Sequence, residues 1–268
     1  MTPLPRLMLA PNGARRSKSD HPALPIQLDE LVDTAVACKK AGAGGIHAHV
    51  RDENGEHSLD VGLYREAMSA IEQAAPDLFV QVTSEAADRF GPEEQVHMIR
   101  ELRPASVSLA LSELTRSPVD KATAGEFYTW ARDAGIGIHH IVYTPAQLRV
   151  VLNFIDEGII PGKAHQLQLV VGSYAGTEPS RPQDLEPYLD LINARKDDLA
   201  LDWMVCAFGP AETACLAYAA ARGGKVRVGF ENSLWNADGS LAQDNAERVA
   251  EVRAAIDKTA QTLSPADR

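Results

Sequence analysis

Eight short apolar runs, each followed by an amphipathic stretch, divide the chain from end to end, and this alternation constrains the fold most. The runs are Leu7–Ala10, Gly45–Val50, Phe79–Thr83, Val107–Ala110, Ile136–Tyr143, Gln166–Val171, Leu199–Val205 and Val226–Val228. Helical periodicity fills Leu28–Ala41, Val61–Ala74, Pro92–Leu102, Ala122–Ala134, Pro145–Glu157, Gln183–Ala194, Ala211–Arg222 and Ala242–Leu263. Gly42 stops the first of these, and Pro92 suits the first turn of the third. Strict strand–helix alternation without a linker or composition break predicts a single (β/α)8 TIM barrel over residues 1–268. The main rival, a doubly wound open sheet, usually has fewer strands and a glycine fingerprint after the first strand, which this chain lacks.

A length of 268 residues would also allow two average domains, and a hydrophobic fraction of 45% supplies a large core in either case. The net charge of −11 argues against nucleic acid or a membrane surface as partner. Three cysteines without paired spacing, Cys38, Cys206 and Cys215, suggest reduced thiols. Cys206, at a strand end, reads first as a buried structural thiol and second as a pocket residue. With neither a secretory h-region nor a bilayer-length apolar run, a soluble cytoplasmic protein is expected.

Barrel chemistry gathers where strands end. Those positions hold Asn12, Arg15, Arg16, Lys18, Asp20 and His21 after the first strand, and His47, His49, Arg51 and Asp52 at the second. Thr83, Ser84 and Glu85 follow the third strand, Ser106 and Ser108 lie on the fourth, and Tyr143 ends the fifth. Gly172–Gly176 and Phe208–Pro210 follow the sixth and seventh; Arg227, Gly229, Glu231 and Asn232 mark the eighth.

His47 and His49 share a strand face, so both imidazoles can meet one metal ion. With Glu231 they make a three-ligand set of the kind that leaves catalytic zinc an open position. A pair of structural histidines is the alternative. His139 and His140 are sequential and face opposite ways; His57, His97 and His165 read as structural or exposed. The glycines after the sixth and seventh strands suit either a phosphate of CoA or ordinary tight turns.

The segments Ala10-Pro11-Asn12-Gly13-Ala14, Asp20-His21-Pro22-Ala23-Leu24-Pro25, Ala41-Gly42-Ala43 and His47-Ala48-His49-Val50-Arg51-Asp52 resemble the β-keto acid cleavage enzymes. The closing Val226-Arg227-Val228-Gly229-Phe230-Glu231 is similar to the same family's last motif. These are relatives of 3-keto-5-aminohexanoate cleavage enzyme, and the resemblance covers the whole chain. It implies a (β/α)8 barrel, usually a homotetramer, holding a divalent metal, typically Zn2+. The implied reaction converts a β-keto acid and acetyl-CoA into acetoacetate and a new acyl-CoA. It implies His47, His49 and Glu231 as metal ligands and Arg227 as the holder of the substrate carboxylate. Ser84 and Ser108 resemble hydroxyl residues lining the pocket, beside Asn12 and Arg15.

The chain departs from the family pattern at its acid–base groups. Asn232 stands where an aspartate base follows the metal-ligand glutamate, and Arg15 where a glutamate follows Gly-Ala of the first loop. No carboxylate lies near Ile141–Gln147 to match a further family glutamate. In one reading Arg15, Arg16 or Lys18 receives an anionic or polar substrate tail, and base work passes to metal-bound hydroxide, Asp20, Glu85 or His21. Alternatively the chain runs a CoA-independent hydrolysis, aldol-type cleavage or decarboxylation, or binds a small acid without turnover.

Overall fold

The computed structural model describes residues 2–115, 120–173 and 180–262. Eight parallel strands close into a barrel: β1 (Leu7–Leu9), β2 (Gly45–Ala48), β5 (Phe79–Thr83), β6 (Ser106–Ala110), β7 (Gly137–Val142), β8 (Ala164–Val171), β9 (Ala200–Ala207) and β10 (Lys225–Val228). Leu9 pairs with both Ile46 and Val228, so β1 closes the ring between β2 and β10. The strand that carries His47 and leads into His49, and the strand that leads to Glu231, therefore flank one common strand.

The helices are α1 (Leu28–Ala41), α2 (Val61–Ala74), α3 (Pro92–Leu102), α4 (Leu111–Leu114), α5 (Asp120–Asp133), α6 (Pro145–Asp156), α7 (Glu186–Asn193), α8 (Glu212–Ala221) and α9 (Asn245–Thr262). Their starts follow local chemistry: Asp60 caps α2 by accepting from Leu63 N–H, and Thr144 caps α6 by accepting from Gln147 N–H. Gly42 ends α1 in the left-handed conformation, φ 114°. Burial of leucine, isoleucine and valine between helices and sheet forms the main core.

Several features depart from the expected pattern. The second strand ends at Ala48 rather than Val50; after His49, β3 (Val50–Arg51) pairs antiparallel with β4 (His57–Ser58). Arg51 draws the chain aside, donating to the carbonyls of Ala14 and Arg16 at 3.0 Å and also to that of Gly13. The short α4 follows β6 directly and has no counterpart in the expected alternation. The seventh strand runs to Ala207 rather than Val205, which brings Cys206 inside it. Leu263, the expected end of the last helix, lies outside the described residues.

Inside the barrel, Met8 and Met204 pack with Leu4 at one end, and a polar layer lies above them. There Gln81 donates to Ser106 Oγ at 3.1 Å and to His139 Nδ1 at 3.0 Å. His140 faces the other way, its ring 5.4 Å from that of Tyr128. Burial pushes His140 down to about 3, with His165 and His139 adding to the effect. Its folded value lies below its ordinary 6.5, so the unfolded chain binds the extra proton in that window and stability falls as pH drops. We expect the unfolding free energy to decline below about pH 6.5, by up to ~1.4 kcal/mol per pH unit for each such histidine. His140→Phe should flatten that slope in denaturant titrations; an unchanged slope would count against His140 as a source. No helix among the described residues is long and apolar enough to cross a membrane.

Candidate metal centre and active site

His47 lies on β2 and His49 one residue past its end, so alternation turns both rings to the barrel interior. Their Nε2 atoms are 3.2 Å apart, and Glu231 Oε2 lies 3.7 Å from His47 Nε2 and 3.5 Å from His49 Nε2. Ligand atoms about 3.3 Å apart are what tetrahedral angles give around a metal at 2.0–2.1 Å. All three side chains are buried.

Protonation suits ligation. Burial, and then Arg227, pushes His47 down to about 3; burial pushes His49 down to about 4. Burial alone would raise the Glu231 carboxyl, but the Arg227 guanidinium beside it holds it well below the carboxylate range. The set therefore offers two neutral imidazoles and one carboxylate, the forms that bind metal. Glu231 Oε2 makes no hydrogen bond of ordinary geometry, whereas Oε1 accepts from Arg227 Nη2 at 2.8 Å. His47 Nδ1 lies 2.9 Å from Gln81 Oε1, which selects the Nδ1–H tautomer and leaves the Nε2 lone pair facing the cluster. These residues fit a divalent cation.

A cavity of about 250 Å³ opens over this cluster, lined by His47, Glu231, Arg227, Thr83, Glu85 and Arg15, among others. Ile141, Val170 and Phe208 give it an apolar wall, with Tyr143 alongside. Glu85 Oε2 lies 3.9 Å from His49 Nε2. Burial, then Glu231 and Glu113, pushes Glu85 up to about 7, so it can hold or release a proton near neutrality.

Among the other expected residues, Arg15 lines the cavity, 2.9 Å from Asp88 and 4.0 Å from Glu85. Lys18 instead pairs with Glu30 at 2.6 Å. Asn12 donates to the carbonyls of Pro25 and His49, bracing the ligand's backbone rather than facing the cavity. Ser84 donates to the Ser108 carbonyl and Ser108 to Thr83 Oγ1, so both hydroxyls are engaged within the strands, and Thr83 lines the cavity in their place. Asn232 is fully buried, and neither end of its amide makes a hydrogen bond.

Asp20 accepts from Ser17 N–H in an exposed turn. His21 lies between Ala242 O and Ala23 N–H, a structural position. Glu85 is the member of the expected base set that lines the cavity. Cys206 is buried, and its sulfur accepts from Arg227 Nη2 at 3.4 Å. Gly209 N–H donates to Asn232 O and is thereby committed; residues 174–176 of the sixth-strand loop lie outside the described residues.

Two residues escaped the sequence reading. Gln81 had a usable signal, since it shares a strand face with Thr83 and stands in register with His47. Glu113 had none: it sits in α4, where Gln95 Nε2 at 2.6 Å and Ala86 N–H at 3.2 Å hold Oε2 at the cavity.

A sequence profile described as beta-keto acid cleavage enzyme matches residues 6–267. A 3-keto-5-aminohexanoate cleavage enzyme of Fusobacterium nucleatum subsp. nucleatum is 25% identical, with 90% of this chain and 86% of the relative covered. A 3-dehydrocarnitine:acetyl-CoA trimethylamine transferase of Rhizobium meliloti is 27% identical over 88% of this chain and 84% of its own. The apo structure of ObcA superposes with a TM-score of 0.67 at 15% identity, over 87% of this chain. This chain spans 61% of that protein, and the likeness concerns the fold alone.

Proposed function

Because the chain belongs to the beta-keto acid cleavage enzyme family, we propose that it converts a β-keto acid and acetyl-CoA into acetoacetate and a new acyl-CoA. The observation that carries this reading is the set of three ligand atoms, all within 4.8 Å of one another, with Arg227 bound to the ligand carboxylate beneath an open cavity. Two imidazoles and a carboxylate favour zinc among common divalent ions. When bound, zinc supplies Lewis acidity at the substrate ketone.

The chain's own groups do the rest. Arg227 anchors the substrate carboxylate through charge-assisted hydrogen bonds. Glu85 takes the proton from the carbon between ketone and carboxylate and later returns one. That carbon bonds to the acetyl carbonyl as thiolate leaves; the thiolate then adds to the substrate ketone, and the original carbon–carbon bond breaks. The wall of Ile141, Val170 and Phe208 receives the acyl end. Asn12, Ser84 and Ser108 brace the strand ends, and Asn232 fixes the turn after Glu231 through its backbone. The family resemblance further supports one barrel domain over residues 1–268 and a homotetramer, and the free, buried Cys38, Cys206 and Cys215 fit a cytoplasmic location.

The test incubates zinc-loaded protein with a panel of β-keto acids, with and without acetyl-CoA. Acetoacetate and acyl-CoA should form together and only when both substrates are present. Turnover without acetyl-CoA, or saturable binding without turnover, would overturn the reading. Glu85→Gln should lower kcat about 10²–10⁴-fold with stoichiometric zinc retained; wild-type kcat would exclude Glu85 as the base.

A further inference from the structure

We propose that the buried charge pair Glu212–Arg248, together with Asn245, positions Glu231 and thereby sets the affinity of the centre for zinc. This inference rests on the metal-centre reading above. None of the three touches the cavity.

Glu212 opens α8 and Arg248 lies in α9; both are fully buried, with Arg248 Nη2 2.8 Å from Glu212 Oε2. Such a pair gains little net stability over well-packed apolar residues, because desolvation consumes much of the attraction. Its surroundings suggest a geometric role. Arg248 also donates to Thr213 Oγ1 at 2.9 Å and to Asn236 Oδ1 at 3.2 Å, and pairs with Glu251. This fixes the Glu212 carboxylate from behind and leaves Oε1 facing the turn that follows β10.

In that turn, three consecutive N–H groups find three separate acceptors. Gly229 N–H points to Glu212 Oε1 at 3.4 Å, Phe230 N–H to Asn245 Oδ1 at 2.9 Å, and Glu231 N–H to Ala10 O at 3.1 Å. Asn245 Nδ2 donates onward to Pro11 O at 3.0 Å, tying the ends of β1 and β10 together. The turn has no slack: Gly229 sits at φ +145°, and a Cβ there would lie 2.4 Å from Ala10 O and 2.9 Å from Asn245 Oδ1. Two residues on, the Glu231 carboxylate inherits this fixed backbone. Partners that orient a ligand in this way contribute to metal affinity without touching the ion.

The test replaces the ion pair by apolar side chains of similar length, Glu212→Met with Arg248→Met, in the full chain. Zinc affinity is read on the apo protein by competition with a chelating dye, and Tm by thermal unfolding. The expected result is a Tm held or raised, with zinc bound about 10–100-fold more weakly. Leu148→Ala, on the buried face of α6 in the main core, should lower Tm and leave zinc affinity unchanged. If the double variant does not fold, Asn245→Ala carries the same expectation in the same titration. Wild-type zinc affinity in the variant, or equal weakening in Leu148→Ala, overturns the positioning role alone. Wild-type protein that binds no zinc overturns the metal centre as well.

Discussion

His47→Ala is expected to abolish stoichiometric zinc binding and to lower acetyl-CoA-dependent cleavage by roughly a thousandfold or more. The imidazole contributes one of three donor atoms in a set whose spacing is 3.2–3.7 Å, and two remaining ligands make a poor site. The loss extends below the ligand. Gln81, held by Ser106 and His139, would lose the ring that its carbonyl orients, leaving a buried acceptor without its partner. Metal analysis after dialysis, with the acetoacetate assay on the same sample, checks both parts. Full zinc occupancy in the variant would sink the proposed centre.

The second large effect is expected from Arg227→Met, which removes the cation that outweighs the burial of Glu231. Truncating one partner of a buried, hydrogen-bonded charge pair costs about 3–5 kcal/mol, so kcat/KM should fall about 10²–10³-fold or more. The sign of the accompanying pH effect follows from the pair. With Arg227 present, Glu231 stays ionised well below neutrality; without it, burial drives the carboxyl pKa upward. Protons then compete with zinc as pH falls, so zinc affinity in the variant should be weaker near pH 6 than near pH 8. Wild-type KM, together with zinc affinity that is flat across that range, would rule out both roles assigned to Arg227.

The barrel was readable because periodicity reports burial directly. Leu28–Ala41, Val61–Ala74, Phe79–Thr83 and Pro92–Leu102 fall where the apolar pattern places them. The hairpin of Val50–Arg51 with His57–Ser58 was hidden, because its cause is the reach of one arginine to carbonyls more than thirty residues away. Ser84 and Ser108 illustrate a related limit. Ser84 directly follows β5 and Ser108 lies on β6, as the pattern places them, yet which hydroxyl turns to the cavity depends on strand tilt and on the neighbouring strand's groups.

By itself the sequence determined the eightfold alternation, the two histidines on one strand face and the strand end carrying Arg227 and Glu231. Each follows from local spacing and side-chain chemistry. Only the tertiary structure decided that Glu231 turns one oxygen to Arg227 and the other to the histidines. It also brought Glu85 and Glu113 to the cavity and set Glu212, Arg248 and Asn245 behind the ligand turn. Those arrangements depend on barrel closure, which joins β1 to β10 across more than two hundred residues, a distance over which no local pattern carries information.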